Sequence, residues 1–142
     1  MKLENQCASL ELCKRLKELG VKQESLFYWS KLSIQTEYKL ELRCHMQTGE
    51  LILADCSDYI SAFTVAELGE MLPERIDQFR QWYIKLQKIK FNAIDECHYL
   101  CSFAEDGGYN ADFIEYDCSD KNEANARAIM LIYLIEQGHV KV

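Results

Sequence analysis

The sequence predicts an α+β fold in which an antiparallel hairpin and meander pack against about three helices, with the C-terminal helix buried. Three observations predict it. The run at 123–138, EANARAIMLIYLIEQG, is apolar on nearly every helical face, which marks a segment enclosed on most sides. Two earlier stretches, SLELCKRLKELG and FTVAELGEMLP, carry helix start and stop signals. The remaining runs alternate apolar with polar residues and are divided by Gly-containing turns, as half-buried strands are.

The first helix takes Ser9 as N-cap, repeats Leu12, Leu16 and Leu19 at helical spacing beside Cys13, and stops at Gly20. SLFYWS follows as an aromatic strand, its Phe27, Tyr28 and Trp29 read as the cap of a core. In YKLELRCH, Leu40, Leu42 and Cys44 oppose Lys39, Glu41 and Arg43. After the MQTGE turn, LILAD reads as the returning strand of a hairpin. FTVAELGEMLP has Thr64 and Glu67 in capping-box positions, Phe63 placed to staple onto Leu68, and Pro73 as a stop. Gly69 inside that helix permits close approach of something bulky.

Residues 75–91 carry both periodicities. Ile76, Phe79, Tyr83 and Leu86 fit a helix, while Ile84 and Leu86, then Ile89 and Phe91, alternate as in a strand. ECHYLCSFAE needs a partner, so the second half reads as strand and the part before Gln81 as short helix or irregular chain. DFIEYDC closes the meander with Ile114, Tyr116 and Cys118 toward the core. Asp120 is the expected N-cap of the last helix, with Glu123 completing a capping box and Gly138 as its left-handed stop.

The 142 residues suit one domain, and an apolar fraction of 49% argues against disorder. The apolar stretch of the last helix is too short to span a bilayer. No charged n-region and apolar h-region open the chain, so the expected compartment is the cytoplasm. Seven cysteines, an odd number with no CxxC, read as reduced core side chains rather than a disulfide framework. Within CHYLC, strand geometry sets Cys97, Tyr99 and Cys101 on one face and His98 on the other, so no metal site is expected.

A net charge of −7 opposes direct nucleic-acid binding, which depends on neutralising phosphates. Basic residues gather at 75–90, while 95–123 holds nine acids against Lys121 alone. The candidate partner-binding residues are therefore Asp95, Glu96, Glu105, Asp106, Asp112, Glu115 and Asp117. Catalytic, cofactor-binding and metal-ligating residues are expected to be none. His45 and His98 fall in strands, His139 falls in the tail, and no nucleophile, zinc, P-loop or dinucleotide motif occurs. DGGYNAD lacks the ligand spacing and terminal glutamate of a calcium loop.

Three blocks, CASLELCKRLKELGVKQESLFYW, SAFTVAELGEMLP and NEANARAIMLIYLIEQG, together resemble an uncharacterised family of small phage- and prophage-encoded bacterial proteins. The resemblance covers most of the chain and departs between residues 74 and 118. It implies a viral or prophage protein acting in a bacterial cytoplasm, and it transfers no activity and no site. The leading expectation is a non-catalytic protein that binds a host or viral protein, as an inhibitor acting through its acidic face. The alternative is a small-molecule or nucleotide binder whose pocket, between sheet and helices, is lined by Trp29, Tyr59 or Tyr83. A homo-oligomer whose apolar surplus forms its interface is the third reading.

Overall fold

A computed structural model describes residues 3–32, 36–42, 56–73, 82–91, 96–105 and 113–142. Among these residues the chain forms α1 (Leu10–Glu18), β1 (Phe27–Leu32), β2 (Lys39–Leu42), β3 (Cys56–Ser61), α2 (Val65–Met71), β4 (Trp82–Phe91), β5 (Glu96–Glu105), β6 (Phe113–Asp120) and α3 (Glu123–Glu136). The strands make two three-stranded antiparallel sheets, ordered β2-β1-β3 and β4-β5-β6. The fold is α+β.

The core gathers on α3. Ala124, Ala126, Ala128, Met130, Leu131 and Leu134 are buried there, so the helix is enclosed on several faces. It packs against α1, α2, β5 and β6, while α1 in turn meets β3 of the first sheet. The alanines in its first half let neighbours approach closely. Leu16 and Cys13 of α1, Phe63 and Leu68 around α2, and Cys101 and Phe103 of β5 complete the same cluster. Transfer of each buried Leu, Met or Phe of this cluster from water is worth about 1.5–3 kcal/mol, and each Ala or Cys less. No described helix is long and apolar enough to cross a membrane.

The helix ends depend on side chains more than on sequence position. At α2 the capping box forms as spaced: Thr64 Oγ1 accepts from the Glu67 N–H at 3.2 Å, and the Thr64 N–H donates to Glu67 Oε2 at 2.7 Å. At α3 the cap is Asn122, whose Oδ1 accepts from the Ala124 N–H at 2.9 Å. Asp120 instead accepts from the Asn122 N–H at 2.7 Å, so it orders the turn before the helix. Ser9 occupies the N-cap position of α1 without a side-chain cap bond. Its backbone N–H donates to Asn125 Oδ1 at 2.8 Å, tying α1 to α3. Gly20 and Gly138 adopt φ of 91° and 75°, the left-handed stops that a Cβ would oppose.

The returning strand of the expected hairpin lies outside the described residues, and the described partner of β2 is β1. β2 pairs with β1, as Phe27↔Leu42 and Trp29↔Leu40, and β3 pairs with the other side of β1. Residues 43–55, with Cys44 and LILAD, lie outside the described residues. Alternation reports that one face of a strand is wet; it does not report which strand lies beside it. The aromatic strand takes the centre, where it is paired on both edges. Leu42, at the end of β2, is 60% exposed.

Ile114 is likewise 52% exposed. The β5–β6 register shifts between Phe103 and Ala104, so that Tyr116 opposes Phe103 while Ile114 opposes Ala104. Glu115 is the extra residue, and such a bulge turns the residues beyond it to the other face. Tyr116 and Cys118 keep the inward side. The strand read at 82–91 is β4, and it forms the meander with β5 and β6. Residues 74–81 lie outside the described residues.

Candidate functional site

The capping box of α2 reaches beyond its own helix. Glu67 also accepts from the Ser25 hydroxyl and the Leu26 N–H, each at 3.0 Å, and so clamps the start of β1 against α2. The N-terminal segment joins the same node through the Ala8 N–H to Phe63 O at 2.9 Å and the Val65 N–H to Gln6 O at 3.1 Å. Asn122 closes the other side by donating to Cys7 O at 2.9 Å and Glu4 O at 3.2 Å.

These ties hold open a cleft of about 980 Å³ between the N-terminal segment, α2 and the start of α3. Leu26, Phe27, Val65, Ala66 and Gly69 give it an apolar wall, and Asp120, Lys121, Glu123 and Arg127 contribute charge around it. Leu26 is 63% exposed, an unusual setting for a leucine beside a concavity. Arg127 is held by Glu123 through two bonds of 3.0 and 2.7 Å, one helical turn away. Its guanidinium lies over α2, so a methyl group added at Gly69 would come within 2.7 Å of Nη1. The expected close approach at Gly69 is this arginine.

Trp29 and Tyr59 do not line the cleft. The Trp29 indole N–H donates to Ala8 O at 3.1 Å, and Tyr59 meets Tyr28 edge-on with ring centroids 6.4 Å apart. Nothing is described of the Tyr83 side chain. Phe27 alone of the aromatic trio faces the cleft; the indole hydrogen bond gives Trp29 a structural role.

The acidic candidates among the described residues are spread out. Asp95, Asp106 and Asp112 lie outside the described residues. Glu96 and Glu105 occupy the two ends of β5, about 30 Å apart at the usual strand rise. Glu115 and Asp117 are both exposed on β6. Glu115 Oε1 accepts from the Tyr133 hydroxyl at 3.2 Å, on the side of α3. Asp117 opposes Ser102, between the core-facing Cys101 and Phe103, and therefore stands on the opposite face of the sheet.

Of the histidines, His45 lies outside the described residues and His98 falls in β5 as expected. His139 is anchored rather than loose: its N–H donates to Leu134 O at 2.8 Å and its ring lies 5.2 Å from Phe103. Among the described residues no group of three or more His, Cys, Asp or Glu could hold a metal ion. Comparison with family models, curated proteins and solved structures finds no match. The cleft residues had faint sequence signals, namely the helical Gly69 and the i,i+4 pair Glu123–Arg127. Nothing in their spacing announced that α2 and α3 meet there.

Proposed function

We propose that this protein is a non-catalytic binding protein that seats an uncharged, apolar segment of a protein partner in the cleft between α2 and the start of α3. The supporting observation is the pairing of an apolar wall, including the solvent-facing Leu26, with charges that already balance. Asp120 and Glu123 offset Lys121 and Arg127, and Arg127 is committed to Glu123. A nucleotide or other anion gains little from a rim that sums to zero, although the volume falls within the range of small-ligand pockets, about 300–1,000 Å³. The helix N-terminus, often an anion site, is occupied by the Asn122 cap and flanked by two carboxylates. Apolar side chains, in contrast, gain by leaving water here. The resemblance to phage and prophage proteins supports a host or viral protein as the partner, with inhibition as the outcome of occupying its surface.

The test is affinity capture from bacterial lysate with three immobilised chains: wild type, Leu26→Asp and Asp117→Lys. Leu26 is exposed, so its variant should keep the wild-type melting temperature. A protein retained by wild type and Asp117→Lys but lost from Leu26→Asp supports the cleft. Retention indifferent to Leu26→Asp, or lost only with Asp117→Lys, sinks it and returns the docking surface to the acidic residues. A nucleotide that raises the melting temperature while no protein is retained establishes the small-ligand reading instead.

A further inference from the structure

A second, smaller cavity of about 140 Å³ lies beside the end of α2, with Gly69, Leu86, Cys101 and Arg127 in its wall. Gly69 and Arg127 border the large cleft as well, so the arginine stands between the two spaces. Cys101 is fully buried in the core, and its cross-strand register partner on β6 is another cysteine, Cys118. Neither is bridged. Directly opposed residues on antiparallel strands stand at a separation a disulfide can span. Cys118 Sγ lies 3.3 Å from Ala126 O and 3.6 Å from Cys101 O, which holds its S–H toward α3 and β5.

We propose that Cys101 and Cys118 form a dithiol that reacts with small hydroperoxides, Cys101 attacking and Cys118 resolving, and closes a cross-strand disulfide. Two independent features support these roles. Cys101 stands, fully buried, in the wall of a cavity with room for only a few water-sized molecules, so a slight opening of that wall admits hydrogen peroxide and still excludes bulky hydroperoxides. The surroundings also divide the two thiols. The hydrogen bond with Cys118 and the nearby Arg127 charge lower the Cys101 pKa, against the burial that raises it. The same hydrogen bond, together with burial, pushes Cys118 upward. The thiolate is the nucleophile in such chemistry.

The electrons balance in two steps. The Cys101 sulfur attacks one peroxide oxygen, the O–O bond breaks, and the second oxygen leaves as water with the thiol's proton; Cys101 becomes a sulfenic acid. Cys118 sulfur then attacks the Cys101 sulfur, the S–S bond forms, the S–O bond breaks, and a second water leaves with the Cys118 proton. Two thiols lose two electrons and two protons, and the peroxide takes them up as two waters. Cys7 and Cys13, held up by burial at about 11, should stay reduced under the same exposure.

The experiment treats the full chain with hydrogen peroxide, then alkylates the remaining thiols and maps the peptides. The expected result is loss of two alkylatable thiols and a peptide pair linked through Cys101 and Cys118. In Cys118→Ser, Cys101 should stop at a sulfenic acid that a dimedone probe captures. Arg127→Gln should slow the reaction by roughly threefold for each pKa unit that Cys101 regains, and a bulky hydroperoxide should react more slowly than hydrogen peroxide. The wild-type map needs no variant to fold. A bond between other cysteines, unchanged alkylation at Cys101 and Cys118, or equal rates for small and bulky hydroperoxides would overturn the assignment.

Discussion

Replacing Glu67 by alanine removes more than a helix cap. Its carboxylate accepts from the Thr64 N–H at 2.7 Å, the Thr64 hydroxyl at 2.8 Å, the Ser25 hydroxyl at 3.0 Å and the Leu26 N–H at 3.0 Å. Loss of an N-terminal capping interaction costs about 1 kcal/mol. Bonds to a charged acceptor contribute about 1.5–3 kcal/mol each when dry, and less here because Glu67 is half-buried and water can take some of them over. Together these predict a loss of about 3 kcal/mol. Urea unfolding measures it: with a slope of roughly 1.5–2 kcal/mol/M for a chain of this size, the midpoint should fall by about 1.5–2 M at unchanged slope. Glu67→Gln, which keeps the reach and loses the charge, should give about half that shift. A Glu67→Ala change below about 0.5 kcal/mol would refute the reasoning, since that is the scale of an ordinary surface substitution.

Two other outcomes follow from the same physics. Asn122→Ala should cost about 2 kcal/mol by thermal or urea melting, because it removes the α3 cap and both bonds to the N-terminal segment, while Asp120→Ala should cost less. The raised thiols of Cys7 and Cys13 give a pH dependence with a defined sign. Unfolded cysteine ionises near 8.5, so their contribution is complete below that pH and is lost as pH rises toward about 11, at up to about 1.4 kcal/mol per pH unit for each group. Urea midpoints at neutral and alkaline pH should converge when Cys7→Ala and Cys13→Ala are compared with wild type; a slope unchanged by both variants would contradict the assignment.

Much of the local structure was legible in the residues. The capping box at Thr64 and Glu67, the left-handed glycines at positions 20 and 138, and the enclosed apolar helix at 123–136 each follow from short-range rules that need no knowledge of neighbours. Where two residues could perform the same task, the sequence left the choice open. Asp120 and Asn122 can both cap a helix, and the amide was selected because it can accept from Ala124 while donating to Cys7 and Glu4. A carboxylate cannot donate at all. The bulge at Glu115 is equally silent in the pattern, since DFIEYDC alternates cleanly and only pairing with β5 inserts the extra residue.

The candidate site was less legible than the fold. Leu26 looked like part of an aromatic strand capping the core, and Cys101 and Cys118 like two of several core thiols. The sequence by itself determined which segments coil, which extend and where each helix stops, because hydrophobic period, caps and glycines act within a few residues. Tertiary structure decided which strands lie together, that α2 and α3 leave a cleft between them, and that two cysteines 17 positions apart face each other across a sheet. Those outcomes depend on packing one surface against another, and a hydrophobic pattern specifies that a face is buried without specifying what buries it.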